Sequence, residues 1–327
     1  MDKTWKQMLI SVLLGVLIPR ILAGVGGGVT PLPRPTEDGA QPIPSVTVSQ
    51  QEDAVLIPVE LEDGNVQVME LERYIAGVVL AEMPASFEME ALKAQAVVAR
   101  TYALRRVQLG DRHSGYAICA DSTCCQAYIS QADYLDGMGD AQDVEKISMA
   151  VQQTAGQVLT YNRKLAETTY FSCSGGRTED AVAVWGEQIP YLQAVDSPGE
   201  ESAEGYRHTV RFTADAFGNA LGRHLEGNPK SWLGTATYTQ GNGVDLLFVG
   251  GVAYSGVELR QRLALNSTAF TITYENGEFV VITKGKGHRV GMSQYGADAM
   301  ASGGKSYTDI LSYYYQGTRI DKNGAVG

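Results

Sequence analysis

The segment from Leu71 to Pro84 constrains the fold of this chain most. Leu71, Ile75 and Val78 recur at helical spacing, which is typical of a buried helix face. Glu82 continues the same stripe, and Pro84 then ends the helix because it lacks an amide N–H. A carboxyl beside valines is desolvated, which raises its pKa and favours a protonated form that can act as a general acid. The sequence therefore predicts a buried helix that ends at a candidate catalytic acid, Glu82.

A second helix is predicted over residues 86–108, with Ser86 as its N-cap. Lys93 and Arg100 lie seven residues apart on one face of this helix. Cations on that face could bind a substrate or hold the carboxylate of Glu82. Two interpretations of Glu82 therefore stay open from the residues alone: a catalytic acid, or a buried acid paired with Arg100 for stability.

The rest of the chain alternates between strand and helix patterns. Strands are predicted over 55–59, 66–71, 157–161 and 164–171, and a hairpin about Asn276-Gly277 joins 271–274 to 278–283. Further helices are predicted over 142–155, 213–222, 256–264, 292–301 and 306–315. The expected fold class is α+β, with mixed helices and antiparallel β-hairpins, in two lobes that flank a groove.

Residues 1–25 are predicted to form a signal anchor, because Met8 to Val25 is almost wholly apolar and follows two lysines. The poor match to a cleavage site favours an anchor that is retained. Residues 26–54 are rich in Gly, Pro, Ser and Thr and are predicted to be a flexible tether. Residues 55–322 form the expected main domain, and 323–327 a short tail. The expected localisation is a single-pass, membrane-anchored protein whose main domain lies outside the cytoplasm.

The charge balance excludes one class of partner. The chain has 26 Lys and Arg against 37 Asp and Glu, which leaves a formal net charge of -11. A chain with this charge repels a polyanion. No nucleic-acid partner is predicted.

Three of the four cysteines lie within seven residues, close after His113. His113, Cys119 and Cys125 follow one another at intervals of six, so one loop could wrap them around a tetrahedral zinc ion, which prefers imidazole and thiolate ligands. Cys124 could be a fourth ligand, or a water or substrate group could complete the site. A disulfide from Cys119 to Cys124 or Cys125 is the alternative. Ligand type and compactness favour zinc.

Three blocks of this sequence resemble the stage II sporulation protein D and amidase-enhancer family. They are VVLAEMPASFEMEALKAQAVVARTYAL (78–104), TTYFSCSGGRTEDAVAVWGEQIPYLQAVDSP (168–198) and GKGHRVGMSQYGADAMA (285–301). Their order and separation also fit the family, and the resemblance extends over about residues 55–320. The segment CADSTCCQ resembles the clostridial members, in which one His and two Cys near the active site hold zinc.

The resemblance implies a lytic transglycosylase, which cuts the MurNAc–GlcNAc bond of peptidoglycan and leaves a 1,6-anhydro-MurNAc end. The implied substrate is a glycan strand stripped of its stem peptides, bound in the expected groove and cut during sporulation engulfment. The implied partners are stage II sporulation proteins P and M and the cytoplasmic membrane. The family's catalytic glutamate, in its AEMP motif, matches Glu82. The alternative function is a non-catalytic, glycan-binding enhancer of a peptidoglycan amidase.

One acid suffices for this chemistry because the substrate supplies its own nucleophile. Glu82 would protonate the leaving oxygen and then, as a carboxylate, take the proton of the MurNAc C6 hydroxyl as that oxygen attacks C1. Intramolecular attack also lowers the entropic cost of ring closure. Ordinary glycosidases need a second carboxylate, and the sequence offers one strong candidate acid.

Polar side chains in the family blocks and on the second helix are candidates for substrate binding: Lys93, Arg100, Tyr170, Ser172, Ser174, His288 and Gln294. Three of them, over residues 170–174, alternate onto one face of a predicted strand. His288 lies in a glycine-rich turn just before a predicted helix. The family motif at this turn usually runs GHGVGMSQYGA, so Arg289 replaces a glycine. The sequence therefore does not predict whether the turn keeps the backbone geometry of the family.

Overall fold

The computed structural model describes residues 54–110, 113, 118–137 and 139–322. Within these residues the chain forms nine α-helices and fourteen strands in five small sheets, most of whose strand pairs are antiparallel. The α+β class predicted from the sequence is confirmed. The arrangement of two lobes about a groove stays a prediction, as do the assigned domain boundaries.

The helices occupy most of the segments for which a helix was predicted. They are α1 Leu71–Glu82, α2 Met89–Leu109, α3 Gln131–Gly137, α4 Ala141–Gln153, α5 Ala181–Trp185, α6 Ala214–Ala220, α7 Gly256–Arg262, α8 Gln294–Ser302 and α9 Tyr307–Tyr314. The sequence did not predict α3 and α5. Helix α3 buries no residue and so carries no apolar stripe, and the five residues of α5 are too few to show a helical period.

The strands are β1 Leu56–Glu60, β2 Val66–Glu70, β3 Ile118–Cys119, β4 Gln157–Tyr161, β5 Lys164–Leu165, β6 Tyr170–Phe171, β7 Arg207–Thr213, β8 Leu233–Tyr238, β9 Val244–Val249, β10 Val252–Ser255, β11 Phe270–Glu275, β12 Glu278–Lys284, β13 Met292–Ser293 and β14 Arg319–Lys322. They form the sheets β2-β1-β3, β14-β4-β5, β13-β6, β11-β12-β7 and β10-β9-β8. The predicted strand over 164–171 is wrong in its extent. Its first part closes a hairpin with β4 as β5, whereas its last part pairs with β13 as β6.

Helix α2 forms the centre of the larger of two hydrophobic clusters. It packs against α1, α4, α8, α9 and β4. Ala96, Ala99 and Ala103 are fully buried on its surface, and such small side chains let neighbouring backbones approach closely. The helix thereby joins the first family block to the last, because α8 follows the glycine-rich turn at His288.

The N-terminus of α2 differs from the sequence prediction. Its N-cap is Glu88 and not Ser86. The reason is a separate turn before the helix, in which the Phe87 N–H donates to the Pro84 carbonyl at 3.0 Å. Ser86 is therefore used in that turn and does not begin the helix.

The smaller hydrophobic cluster is built by the sheets β11-β12-β7 and β10-β9-β8 together with α6 and α7. Phe279 stacks on Phe217 and Trp232, with ring centroids 4.1 and 5.6 Å apart. The hairpin predicted about Asn276-Gly277 is confirmed, since β11 pairs with β12 and both turn residues have positive φ. One face of the sheet β11-β12-β7 thus packs into this cluster, which leaves its other face outward.

The membrane-anchored localisation expected from the sequence is corrected by the structure. In the part of the chain that the structure describes, no helix combines the length and the apolar character needed to cross a bilayer. The longest, α2, has 21 residues but includes Arg100, Arg105 and Arg106, whereas a spanning helix needs about 20 predominantly apolar residues. The anchor and tether assigned to 1–25 and 26–54, and the tail at 323–327, lie outside the described residues apart from residue 54.

Candidate active site

Glu82 is the last residue of α1 and lies inside the larger hydrophobic cluster, with 9% of its surface exposed. Met83 is extended, with φ -130° and ψ 139°, as the following Pro84 requires. The Glu82 carboxylate oxygen Oε1 accepts a hydrogen bond from the Ala127 N–H at 3.0 Å. Glu82 is therefore a desolvated acid held at the end of a helix.

Burial raises the pKa of Glu82 from 4.5 to about 7. Hydrogen bonding from the Ala127 backbone and from the side chains of Tyr170 and Gln294 lowers the pKa, but by less than burial raises it. Near neutral pH both the acid and the carboxylate are populated. The same group can therefore donate a proton in one step and accept one in the next.

Tyr170 and Gln294 reach Glu82 from the second and third family blocks. Tyr170, on β6, is 4% exposed, and its hydroxyl accepts from Gln126 Nε2 at 3.0 Å. Tyr74 of α1 donates to Gln126 Oε1 at 3.3 Å. Gln294 begins α8 and is 5% exposed, and its side chain is the second of the two that lower the pKa of Glu82. The pairing of β6 with β13 brings these blocks together, since Met292 lies beside Tyr170.

The two cations predicted for substrate binding have other partners. Arg100 is fully buried and forms a bidentate pair with Glu72, with Nε–Oε1 at 2.8 Å and Nη2–Oε2 at 2.6 Å. Lys93 pairs with Glu90 at 2.6 Å. Within the described residues neither cation pairs with Glu82. The interpretation of Glu82 as the partner of Arg100 is therefore wrong, because Glu72 takes that place.

The serines after β6 lie outside a strand, contrary to the prediction of alternating strand positions. Ser174 is buried, and its hydroxyl donates to Glu200 Oε2 at 2.7 Å. The same oxygen accepts the Gly175 N–H at 3.0 Å. The carbonyl of Ser172 accepts the Tyr295 N–H at 3.1 Å. A buried carboxylate thus shapes this loop, and the Ser174 hydroxyl is committed to it.

His288 is buried between aromatic rings. Phe171 and Trp185 lie with ring centroids 5.6 and 5.7 Å from it. Its Nδ1 accepts the Val290 N–H at 3.1 Å, so the proton of the neutral ring is assigned to Nε2. Burial lowers the pKa of His288 to about 3, against a hydrogen bond to the Tyr170 backbone that raises it, so the ring is neutral.

Arg289 adopts the backbone conformation of the glycine that it replaces, with φ +68°. Such a conformation costs a non-glycine residue about 1–2 kcal/mol. The buried guanidinium donates to the carbonyls of Ser174 (2.8 Å), Arg177 (2.7 Å) and Gly241, and its Nη1 lies 3.8 Å from a carboxylate oxygen of Glu179. The turn keeps its glycine-type geometry because these contacts offset the strain.

The candidate metal ligands meet at one point. Ligand atoms of His113, Cys119, Cys124 and Cys125 all lie within 4.8 Å of one another. His113 Nε2 lies 3.1 Å from the sulfur of Cys125 and 3.6 Å from that of Cys124, and the two sulfurs are 3.9 Å apart. Tetrahedral zinc with bonds of about 2.0–2.3 Å separates its ligand atoms by roughly 3.3–3.8 Å. The four groups fit such a site in type and in spacing.

The disulfide alternative is not formed, because Cys119, Cys124 and Cys125 are free thiols. Cys124, which the sequence offered as a possible fourth ligand, lies with the three ligands named from the sequence. The loop that carries the thiols is tightly turned, since the Cys125 N–H donates to the Asp121 carbonyl at 2.8 Å and Asp121 Oδ1 accepts the Thr123 N–H at 2.7 Å. The site residues are therefore preformed as three thiols and one imidazole.

The cysteine loop is joined directly to the acid. Gln126 and Ala127 follow Cys125 in the chain, and they bond to Tyr170 and Glu82 respectively. Sequence reasoning missed both residues. Their position could have indicated them, because both directly follow the cysteine pair. If the cysteine loop lies beside the active site, the residues next to it in the chain lie there too.

The fold and the site together define an α+β protein with a buried acid at a helix end, positioned by a Cys/His loop and by polar residues of two later segments. The model of a family described as stage II sporulation protein matches residues 62–161. Stage II sporulation protein D of Bacillus subtilis (strain 168) is 39% identical over 295 residues, covering 88% of this chain and 83% of that protein.

The protein of the same name from Bacillus amyloliquefaciens is 39% identical over 277 residues, covering 83% of this chain and 80% of its own. The amidase enhancer of Bacillus subtilis (strain 168) is 28% identical over 304 residues, covering 75% of this chain and 40% of the enhancer. This chain belongs to the stage II sporulation protein D family. Its membership supports a cell-wall-related role in sporulation.

Proposed function

We propose that this protein is a lytic transglycosylase that cuts the MurNAc–GlcNAc bond of peptidoglycan strands stripped of their stem peptides and leaves 1,6-anhydro-MurNAc ends. The buried acid Glu82, with a pKa of about 7, is the observation that carries the proposal. Within the described residues no other carboxylate is among the groups that shift this pKa. Hydrolytic glycosidases place two carboxyl groups about 5–9.5 Å apart across the scissile bond. A single acid fits a reaction in which the substrate provides the nucleophile.

In the proposed reaction, protonated Glu82 gives its proton to the glycosidic oxygen as the bond from that oxygen to C1 of MurNAc breaks. The MurNAc C6 hydroxyl oxygen then forms a bond to C1, and its proton passes to the Glu82 carboxylate. The acid is thereby regenerated, and no water is consumed. Tyr170 and Gln294 would orient the carboxyl group between these two positions.

We further propose that His113, Cys119, Cys124 and Cys125 hold zinc, which adds Cys124 to the one His and two Cys of the clostridial type. Bound zinc would supply a rigid cross-link of the loop and not a reactive hydroxide, which would favour hydrolysis over ring closure. The loop then holds the Ala127 N–H against Glu82 and Gln126 against Tyr170. The proposed partners, stage II sporulation proteins P and M, rest on the family relationship alone.

The experiment that tests the activity is mass spectrometry of the products that the full chain releases from purified, peptide-free glycan strands. Anhydro-MurNAc ends are expected with the wild type and are expected to be absent with Glu82→Gln. Glu62→Gln, which removes an exposed carboxylate from the turn between β1 and β2, is the matched control and should cut like the wild type. Reducing ends would contradict transglycosylation and would indicate hydrolysis.

The second candidate is a glycan-binding enhancer of an amidase, which the similarity to the Bacillus subtilis amidase enhancer favours. It predicts strand binding without any product. If a Glu82→Gln protein stimulates an amidase as well as the wild type does, and no cut strands appear with either protein, the enhancer function is supported and catalysis is refuted.

A further inference from the structure

A cavity of about 510 Å³ lies on the outward face of the sheet β11-β12-β7, and Glu82 is not among its lining residues. The sheet forms one wall, the loop at residues 175–177 after β6 forms another, and Gly241 and Asn242 form a third. Tyr238, at the end of β8, lies at the cavity with 59% of its surface exposed. The cavity is thus an open, partly aromatic site separate from the buried acid.

Two cations face each other in this wall. Arg207 of β7 and Lys284 of β12 are direct partners in the strand register, and both are exposed. Like charges directly opposite on neighbouring strands destabilise a sheet. Neither side chain forms an ion pair with any residue that the structure describes. This positive pair lines a cavity in a chain of net charge -11, so it offers two cationic contacts to an anion.

The other two cations that line the cavity, Arg177 and Arg289, already have partners. Arg177 pairs with Asp196 at 2.5 Å. The guanidinium of Arg289 is held by the carbonyls of Ser174, Arg177 and Gly241, and so it ties two walls of the cavity together. Arg207 and Lys284 therefore supply the uncompensated positive charge, and they do so within fixed backbone walls.

We propose that this cavity is a carboxylate subsite, in which Arg207 and Lys284 together bind the lactyl carboxylate of a muramic acid residue. The ligand rests on the proposed function, since it is the glycan strand of peptidoglycan. While a stem peptide is attached, the lactyl carboxyl is an amide and is neutral. Removal of the peptide leaves a carboxylate, which the planar fork of an arginine and the ammonium of a lysine both suit.

The subsite and the acid are close enough to serve one strand. Tyr170, which touches Glu82, and Gly175, which lines the cavity, are joined by at most about 18 Å of chain. A strand of several sugars can span that length. The exposed ring of Tyr238 offers an apolar face to one of those sugars. The cavity would therefore recognise whether a strand has lost its peptides while another part of the strand reaches Glu82.

The test measures the binding of short peptide-free glycan strands, either native or with their carboxyl groups converted to neutral methylamides. The full chain carrying Glu82→Gln is used, so that cleavage does not interfere. Native strands are expected to bind at least about ten-fold more tightly than amidated strands. The added double substitution Arg207→Gln, Lys284→Gln is expected to abolish this preference.

Arg211→Gln is the matched control, because Arg211 lies on the same strand face as Arg207 but outside the cavity, 3.5 Å from Glu278. It removes the same charge and should keep the preference, as should Arg207→Lys. Since the double substitution removes a like-charge contact, its melting temperature should be no lower than that of the parent. Equal binding of native and amidated strands overturns the subsite, and so does a preference that survives the double substitution.

Cleavage by the wild type separates this inference from the proposed function. If native and amidated strands are cut equally well, the transglycosylase stands and the subsite is overturned. If no strand is cut but the preference for native strands and its loss in the double variant are both observed, the subsite is supported and the catalytic proposal fails.

Discussion

Replacing Glu82 by glutamine should stabilise the protein at alkaline pH. In the folded protein burial raises the pKa of Glu82 from 4.5 to about 7, so between these values the folded state binds more protons than the unfolded state. The free energy of unfolding therefore falls as pH rises through this window, by roughly 3 kcal/mol in all. Glutamine does not titrate and can still accept the Ala127 N–H. The variant should thus be more stable than the wild type by up to about 3 kcal/mol above pH 7.

Urea unfolding at pH 5 and pH 8 measures this difference. The stability gain of Glu82→Gln over the wild type should be small at pH 5 and large at pH 8. Taking the difference between the two proteins at each pH cancels the contribution of every other group, because both proteins share those groups. Glu62→Gln, which changes an exposed acid, should show no such change. An equal effect of Glu82→Gln at both pH values would refute the argument that Glu82 is desolvated.

Three further outcomes are expected. The value of kcat/KM for strand cleavage should fall about ten-fold per pH unit above pH 7, because the protonated fraction of Glu82 falls by that factor. Tyr170→Phe removes a hydrogen bond that lowers the pKa of Glu82, so it should move this decline to higher pH, and a flat profile would exclude Glu82 as the acid. Chelation, or Cys125→Ser, should lower both the melting temperature and the activity, and activity unaffected by complete metal removal would contradict a positioning role for zinc. Arg289→Gly should cost about 2–4 kcal/mol in chemical unfolding despite relieving the positive φ, and an unchanged or higher stability would show that the buried contacts do not offset the strain.

The sequence predicted Glu82 because the signal is local. Its place on an apolar stripe and the proline two positions later are both visible within one helix. The partner of Arg100 was not visible in this way, since Glu72 lies on another helix and only packing of α1 against α2 brings the two together. Ala127 was missed for a related reason: a backbone N–H carries no sequence signal of its own.

The same distinction explains the strands. The hairpin about Asn276-Gly277 was predicted because its turn chemistry is specific. The sheet β10-β9-β8 was not predicted, because β8 and β9 leave several residues on both faces exposed and show weak alternation. The strand β6 has two residues and exists through its parallel pairing with β13, more than a hundred positions away. Its residue Tyr170 nevertheless contacts Glu82 through its side chain.

Glu82 and its three hydrogen-bond partners, Ala127, Tyr170 and Gln294, lie on four segments that are distant in sequence. The joint placement of these segments makes a desolvated acid tolerable. A buried acid whose pKa is raised lowers the free energy of unfolding at neutral pH. Other interactions must therefore stabilise the segments that surround it. The buried pair of Arg100 with Glu72, the carbonyl contacts of Arg289 and the cysteine loop each fix one of those segments. Weakening any of these three supports should lower the pH-independent stability but leave the pH-dependent gain of Glu82→Gln intact, because that gain arises at the carboxyl itself. Loss of the gain in a folded Arg289→Gly background would instead show that the turn at Arg289 sets the burial of Glu82.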